Sequence, residues 1–102
     1  MEKRHIVAIA DPYTVYALRL IGVEGYPVTS SEEAKRILKN IELREDVGLV
    51  LVSAEIFDEI SDAISALQRG RSDLVVARLP TIREPGKPMD VQKELLKALG
   101  MG

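Results

Sequence analysis

His5-Ile6-Val7-Ala8-Ile9-Ala10-Asp11-Pro12 sets the architecture of this chain. The run from His5 to Ala10 is almost wholly apolar, with charged residues before it and a turn-forming Asp-Pro after it. A strand apolar on both sides is covered on both faces, as in a parallel sheet flanked by helices. Val47-Gly48-Leu49-Val50-Leu51-Val52 repeats the pattern, and Leu74 to Leu79 reads as a further strand. Tyr26 to Thr29 is a shorter one.

Helical segments alternate with these strands. Thr14 to Ile21 is predicted as a helix closed by Gly22 in the C-cap position. Ser30-Ser31-Glu32-Glu33 reads as a capping box opening a helix with Ala34, Ile37, Leu38 and Ile41 on one face. Ile56, Ile60, Ala63, Ile64 and Leu67 form the core stripe of the next helix, which Gly70 stops. Pro80 to Pro88 holds three of the chain's five prolines and reads as an extended linker. Asp90 then caps a last helix carrying Val91, Leu95, Leu96 and Leu99.

This alternation implies right-handed crossovers and a parallel sheet with helices on both faces. Pro27 removes a ladder donor, so its strand belongs at an edge. The two uniformly apolar strands belong in the middle. Strand order 2-1-3-4 satisfies both conditions, a flavodoxin-like α/β sheet one strand short. The expected organisation is an α/β domain over residues 1–79, then a Pro-rich linker and C-terminal helix over residues 80–102.

Composition narrows the function classes. A chain of 102 residues, 46% apolar, supports one ordered domain. There is no cysteine, which removes disulfides and thiolate metal sites. No apolar run approaches the roughly 20 residues needed to span a bilayer. The start moves straight into a strand without a cleavage region, so a cytoplasmic location is expected, with no membrane insertion. Fourteen basic residues face sixteen acidic ones, well interspersed, for a net charge of −2. The aromatics are Tyr13, Tyr16, Tyr26 and Phe57 alone, and no basic face accompanies them, which disfavours nucleic acid.

In a doubly wound sheet a ligand sits beyond the carboxyl ends of strands one and three. Asp11, Ser53 and Glu55 occupy that position and define one functional alternative, a small receiver-like or ligand-binding signalling domain. A phosphoryl-accepting receiver needs an aspartate where Ser53 stands, and a lysine after a fifth strand. Neither a G-x-G-x-x-G nor a Walker pattern follows the first strand. His5 lies at the wrong end of its strand for catalysis. Glu55, Asp58, Glu59 and Asp62 have the spacing of one solvated helix face rather than a carboxylate metal site. No catalytic, cofactor or metal residue is therefore expected.

The apolar surplus points to docking instead. On the first helix Val15, Leu18 and Ile21 make a core stripe, while Tyr13, Tyr16 and Leu20 make a second one that needs another covering surface. The last helix presents a comparable ridge.

These residues resemble a known family. Ala10-Asp11-Pro12-Tyr13-Thr14-Val15, followed by Ala17-Leu18-Arg19-Leu20-Ile21-Gly22-Val23, is similar to the signature of the F subunit of archaeal and vacuolar-type rotary ATPases. Ser30 to Ala34, the strand Val47 to Val52, and Leu79-Pro80 through Gly86 agree with it in order. Ala10 departs from the usual glycine, and Tyr16-Ala17-Leu18 from the usual small-residue-and-phenylalanine step. The resemblance implies a non-catalytic component of the central stalk of a proton- or sodium-translocating ATPase. Such a component binds the coiled-coil D subunit of the rotor, meets the catalytic A and B subunits transiently, and helps to regulate coupling of ATP turnover to rotation. The expected partner contacts are Leu79, Val91, Leu95, Leu96 and Leu99, with Tyr13, Tyr16 and Leu20 as a second patch.

Overall fold

A computed structural model describes residues 5–80 together with Lys97. The order of elements is β1 (His5–Ala10), α1 (Pro12–Arg19), β2 (Glu24–Pro27), α2 (Ser31–Glu42), β3 (Val47–Ser53), α3 (Ala54–Glu59), α4 (Ser61–Gly70) and β4 (Val75–Leu79). The four strands form one parallel sheet in the order β2-β1-β3-β4. This is the arrangement expected, with Pro27 in an edge strand. The linker and last helix expected over residues 80–102 lie outside the described residues, apart from Pro80 and an exposed, helical Lys97.

Register explains why β1 and β3 are apolar throughout. Val7 is paired with Val50 and Ile9 with Val52. These side chains join a core that α2 and α4 cover with Leu38, Ile41, Ile64 and Leu67. Ala8 is paired with Leu51, and both point the opposite way, into a smaller core with Ala17, Leu18, Val23 and Leu79 beneath α1. Alternate residues of each central strand thus feed two different cores, and neither side can be polar.

Local signals account for most boundaries. Pro12 sits at the first helical position, where a missing N–H costs nothing, so α1 begins two residues before the expected Thr14. It ends at Arg19, and Gly22 takes φ +88° in the turn that follows. Because Ile21 lies past the helix end, it is 41% exposed rather than part of the core stripe. Ser30 accepts from the Glu33 amide at 3.3 Å as a capping box requires. The Glu33 carboxylate accepts from the Thr29 hydroxyl at 2.7 Å, which holds its pKa below the ordinary value. β2 comes earlier than the expected Tyr26–Thr29, since Val7 pairs with Glu24 and Ala10 with Pro27.

One expected helix is two. The backbone leaves helical geometry at Ile60, with φ −114° and ψ 26°, and no side chain caps either flank. Ile60 still donates to Ile56 O and accepts from Ile64 N–H, so the apolar period runs through the break unaltered. That continuity is why periodicity alone predicts a single helix. Both pieces pack against α2 and β4, and α3 also meets β3.

At the amino edge Arg44 bridges two strands. It donates to Glu24 of β2 at 3.1 Å and to Asp46, just before β3, at 2.8 Å. Arg44 holds the Glu24 and Asp46 carboxyls below their ordinary values, chiefly through these hydrogen bonds. Arg71 donates to the Glu42 and Arg44 carbonyls at 2.8 and 2.9 Å, closing the end of α2.

Packing and charge each give an expected outcome. A Cβ on Gly25 would lie 2.7 Å from Val15 Cγ1, a distance real Cβ atoms do not show. Gly25→Ala should cost roughly 1–3 kcal/mol by overpacking in urea unfolding, and adding Val15→Ala should recover part of the loss. Depressed carboxylate pKa values mean that the unfolded chain binds more protons, so the stability they contribute is present above the ordinary carboxylate range. It is lost as pH falls from about 5 through the native values. Arg44→Gln should therefore destabilise clearly at pH 7 and much less at pH 3. An equal effect at both would refute the electrostatic account.

Candidate functional site

The carboxyl ends of the strands open onto a cleft of about 460 Å³. Asp11, Ser53 and Glu55 all line it, together with Thr14, Ser30 and Ser31. Crossovers leave β1 and β3 toward opposite faces of the sheet, and the gap between them is the usual ligand position of such folds. The three residues expected at the switch point are thus brought to one place.

Chemistry in the cleft is limited by what Asp11 already does. One of its carboxylate oxygens accepts from the Thr14 amide at 3.1 Å and the other from the Thr14 hydroxyl at 2.6 Å. Asp11 is the N-cap of α1, with both oxygens turned into its own helix. Thr14 is 6% exposed and is the partner that sequence reasoning missed. The Asp-Pro step at N-cap and N1 is the signal that could have found this cap. Ser53 starts α3 without a side-chain cap bond. The carboxylates expected on one solvated face divide at the break, with Glu55, Asp58 and Glu59 on α3 and Asp62 on α4. Asp58 pairs with Arg78 at 3.1 Å, and Glu59 accepts from Ser31. Among the described residues no group of three or more His, Cys, Asp or Glu side chains is arranged to hold a metal ion.

The second surface is α1. It packs against β1 and β2 through the buried Val15, Ala17 and Leu18. Tyr13, Tyr16 and Leu20 point outward and are 67%, 56% and 71% exposed. Arg19 lies 5.6 Å from the centre of the Tyr16 ring and donates to Gly25 O at 2.8 Å. It therefore braces the strip without covering it. Leu79, expected among partner contacts, is fully buried in the core below α1 and offers no surface. It ends β4 beside Ser53, on the side of the sheet that α1 covers. Val91, Leu95, Leu96 and Leu99 lie outside the described residues.

The fold is that of the flavodoxin-like doubly wound α/β domains, with the fifth strand absent from the described residues. The chain belongs to the ATP synthase (F/14-kDa) subunit family, whose model matches residues 6–96. It is 33% identical over 87 residues to the V-type ATP synthase F subunit of Thermus thermophilus, covering 85% of this chain and 84% of that protein. To the A-type ATP synthase F subunit of Methanococcus maripaludis it is 29% identical over 80 residues, 78% of this chain and 81% of that one. The crystal structure of the V-type ATP synthase F subunit from Archaeoglobus fulgidus superposes with a TM-score of 0.60 at 22% identity. That match covers 74% of this chain and 96% of the other, and it bears on the fold alone.

If Asp11 serves as a cap, Asp11→Ala should cost about 0.5–2 kcal/mol in thermal or urea unfolding. Asp11→Asn, which caps comparably, should cost much less. A large loss in both would assign Asp11 a role beyond the cap.

Proposed function

We propose that this chain is the non-catalytic F subunit of an A/V-type ATP synthase, seated on the central stalk against the coiled-coil D subunit of the rotor. The observation that carries this reading is the outward strip of Tyr13, Tyr16 and Leu20. It stands on a helix whose other side is already buried, in a chain of this family. Two large aromatics and a leucine are the side chains that anchor interfaces once desolvated. A coiled coil offers a complementary apolar ridge. Val91, Leu95, Leu96 and Leu99 make the second contact set, carried on the linker and helix of residues 80–102 as a unit apart from the α/β domain. In this reading that segment takes part in regulating ATP turnover, and the catalytic A and B subunits are met transiently as the stalk turns. The complex holds the chain at the cytoplasmic side of the membrane. Among the described residues no helix is long and apolar enough to cross it.

The engagement of Asp11 by Thr14 supports a component that leaves nucleotide chemistry to other chains. A second reading, a small-ligand domain, draws on the cleft, whose volume falls within the range of ligand sites, roughly 300–1,000 Å³.

Titration of this chain with the D subunit from the same source separates the two. A tight one-to-one complex is expected. Tyr16→Ser with Leu20→Ser should weaken it at least about tenfold, given interface anchors worth more than about 1 kcal/mol each, with circular dichroism unchanged. Leu95→Ser with Leu99→Ser tests the second contact set in the same assay. No complex between two folded chains, together with saturable binding of phosphate or Mg²⁺ that Asp11→Asn abolishes, would transfer the function to the cleft.

A further inference from the structure

The face of the molecule opposite α1 carries its own unfilled surface. Helices α2 and α4 lie side by side there, and between them runs a groove of about 190 Å³. Leu38 and Leu67 form its buried floor, and Ala63 and Ala66 leave its α4 side low. Lys35 and Lys39 stand on the α2 side, and Glu42 lines it as well. The volume lies below that of small-molecule sites, roughly 300–1,000 Å³, and suits one apolar side chain.

Three observations say what kind of side chain and on what element. Lys35, Lys39 and Leu43 follow one another at four-residue spacing along α2 and its cap, the spacing that a helix presents on one side. Leu43 is 83% exposed, more than any other large apolar residue exposed among those described, and it is the one that lies on α2 and its cap rather than on α1, its turn, β1 or β4. Lys39 makes no ion pair among the described residues, and Lys35 meets only the exposed Glu32 at 3.5 Å, a contact of little worth in water. An apolar groove with one unpaired and one weakly paired lysine on its rim, and an exposed leucine further along the same side of α2, matches a partner helix with a leucine or methionine on its stripe and carboxylates one turn away.

We propose that the α2/α4 groove docks an acidic amphipathic helix of another subunit, one apolar side chain entering between Leu38 and Ala66 while its carboxylates meet Lys35 and Lys39. This rests on the reading of the chain as part of a larger assembly. The groove and the α1 strip are on opposite faces of the sheet, so both can be occupied at once, and the domain becomes a bridge between two partners.

Zero-length carbodiimide coupling of the assembled complex, followed by peptide mass spectrometry, tests it. Besides the internal Lys35–Glu32 product, Lys35 or Lys39 should be joined to an aspartate or glutamate on a helical segment of a different subunit. Ala66→Glu places a carboxylate in the groove on an exposed helical site. It should lower that cross-link at least tenfold while the affinity for the D subunit stays unchanged. A chain that enters the assembly with no cross-link from either lysine to another subunit, or with one that Ala66→Glu leaves intact, overturns the inference. So do cross-links to a second copy of this chain. Failure to bind the D subunit at all strikes instead at the stalk reading.

Discussion

Pairing of β1 with β3 is the constraint from which the rest of the domain follows. Val7 and Ile9 sit opposite Val50 and Val52 on one face, and Ala8 opposite Leu51 on the other. Successive residues of each strand alternate between the two cores, so both faces of the sheet must be covered by helices. The two cores are unequal. Branched side chains fill the one beneath α2 and α4, while alanines at positions 8 and 17 and the glycine at 25 bring α1 close on the other side. A short helix drawn in this tightly has little flank to bury, and its outer side stays apolar and open.

The same geometry explains why the carboxyl-edge cleft differs from a working catalytic pocket. Asp11 arrives at the switch point by the fold's own logic, since the residue after β1 always lies there. Its carboxylate then closes the N-terminus of α1 through Thr14. A group holding two donors of its own helix is a poor general base, because releasing them exposes unsatisfied donors. Chemistry of the edge is therefore structural at Asp11, and the surfaces with unmet demand are the apolar ones on the two helical faces.

Much of this was legible in the chain. Pro27 marks an edge strand, and Ser30 with Glu33 marks a helix start. The two uniformly apolar runs place their strands in the centre. The outward strip of Tyr13, Tyr16 and Leu20 could be read from helical spacing. Other features had no local signature. The break at Ile60 leaves the apolar period intact, so nothing in the spacing announces it. Leu79 ends an alternating strand and could have faced either way. Only its place beside Ser53, on the α1 side of the sheet, sends it inward. Leu43 stands at the cap of α2, and its exposure depends on which elements lie across from that end of the helix.

The period and polarity of each element, and with them the class of fold, are written in the order of residues, because strand coverage and helix amphipathicity are local properties of side-chain spacing. Family is written there too, since an ordered set of segments survives where no single motif is diagnostic. Which apolar residues remain in contact with water is settled only once the chain has folded. Exposure depends on what lies across a gap, and Val15 against Gly25, Leu38 against Leu67 and Leu79 beneath α1 are neighbours that no spacing along the chain brings together.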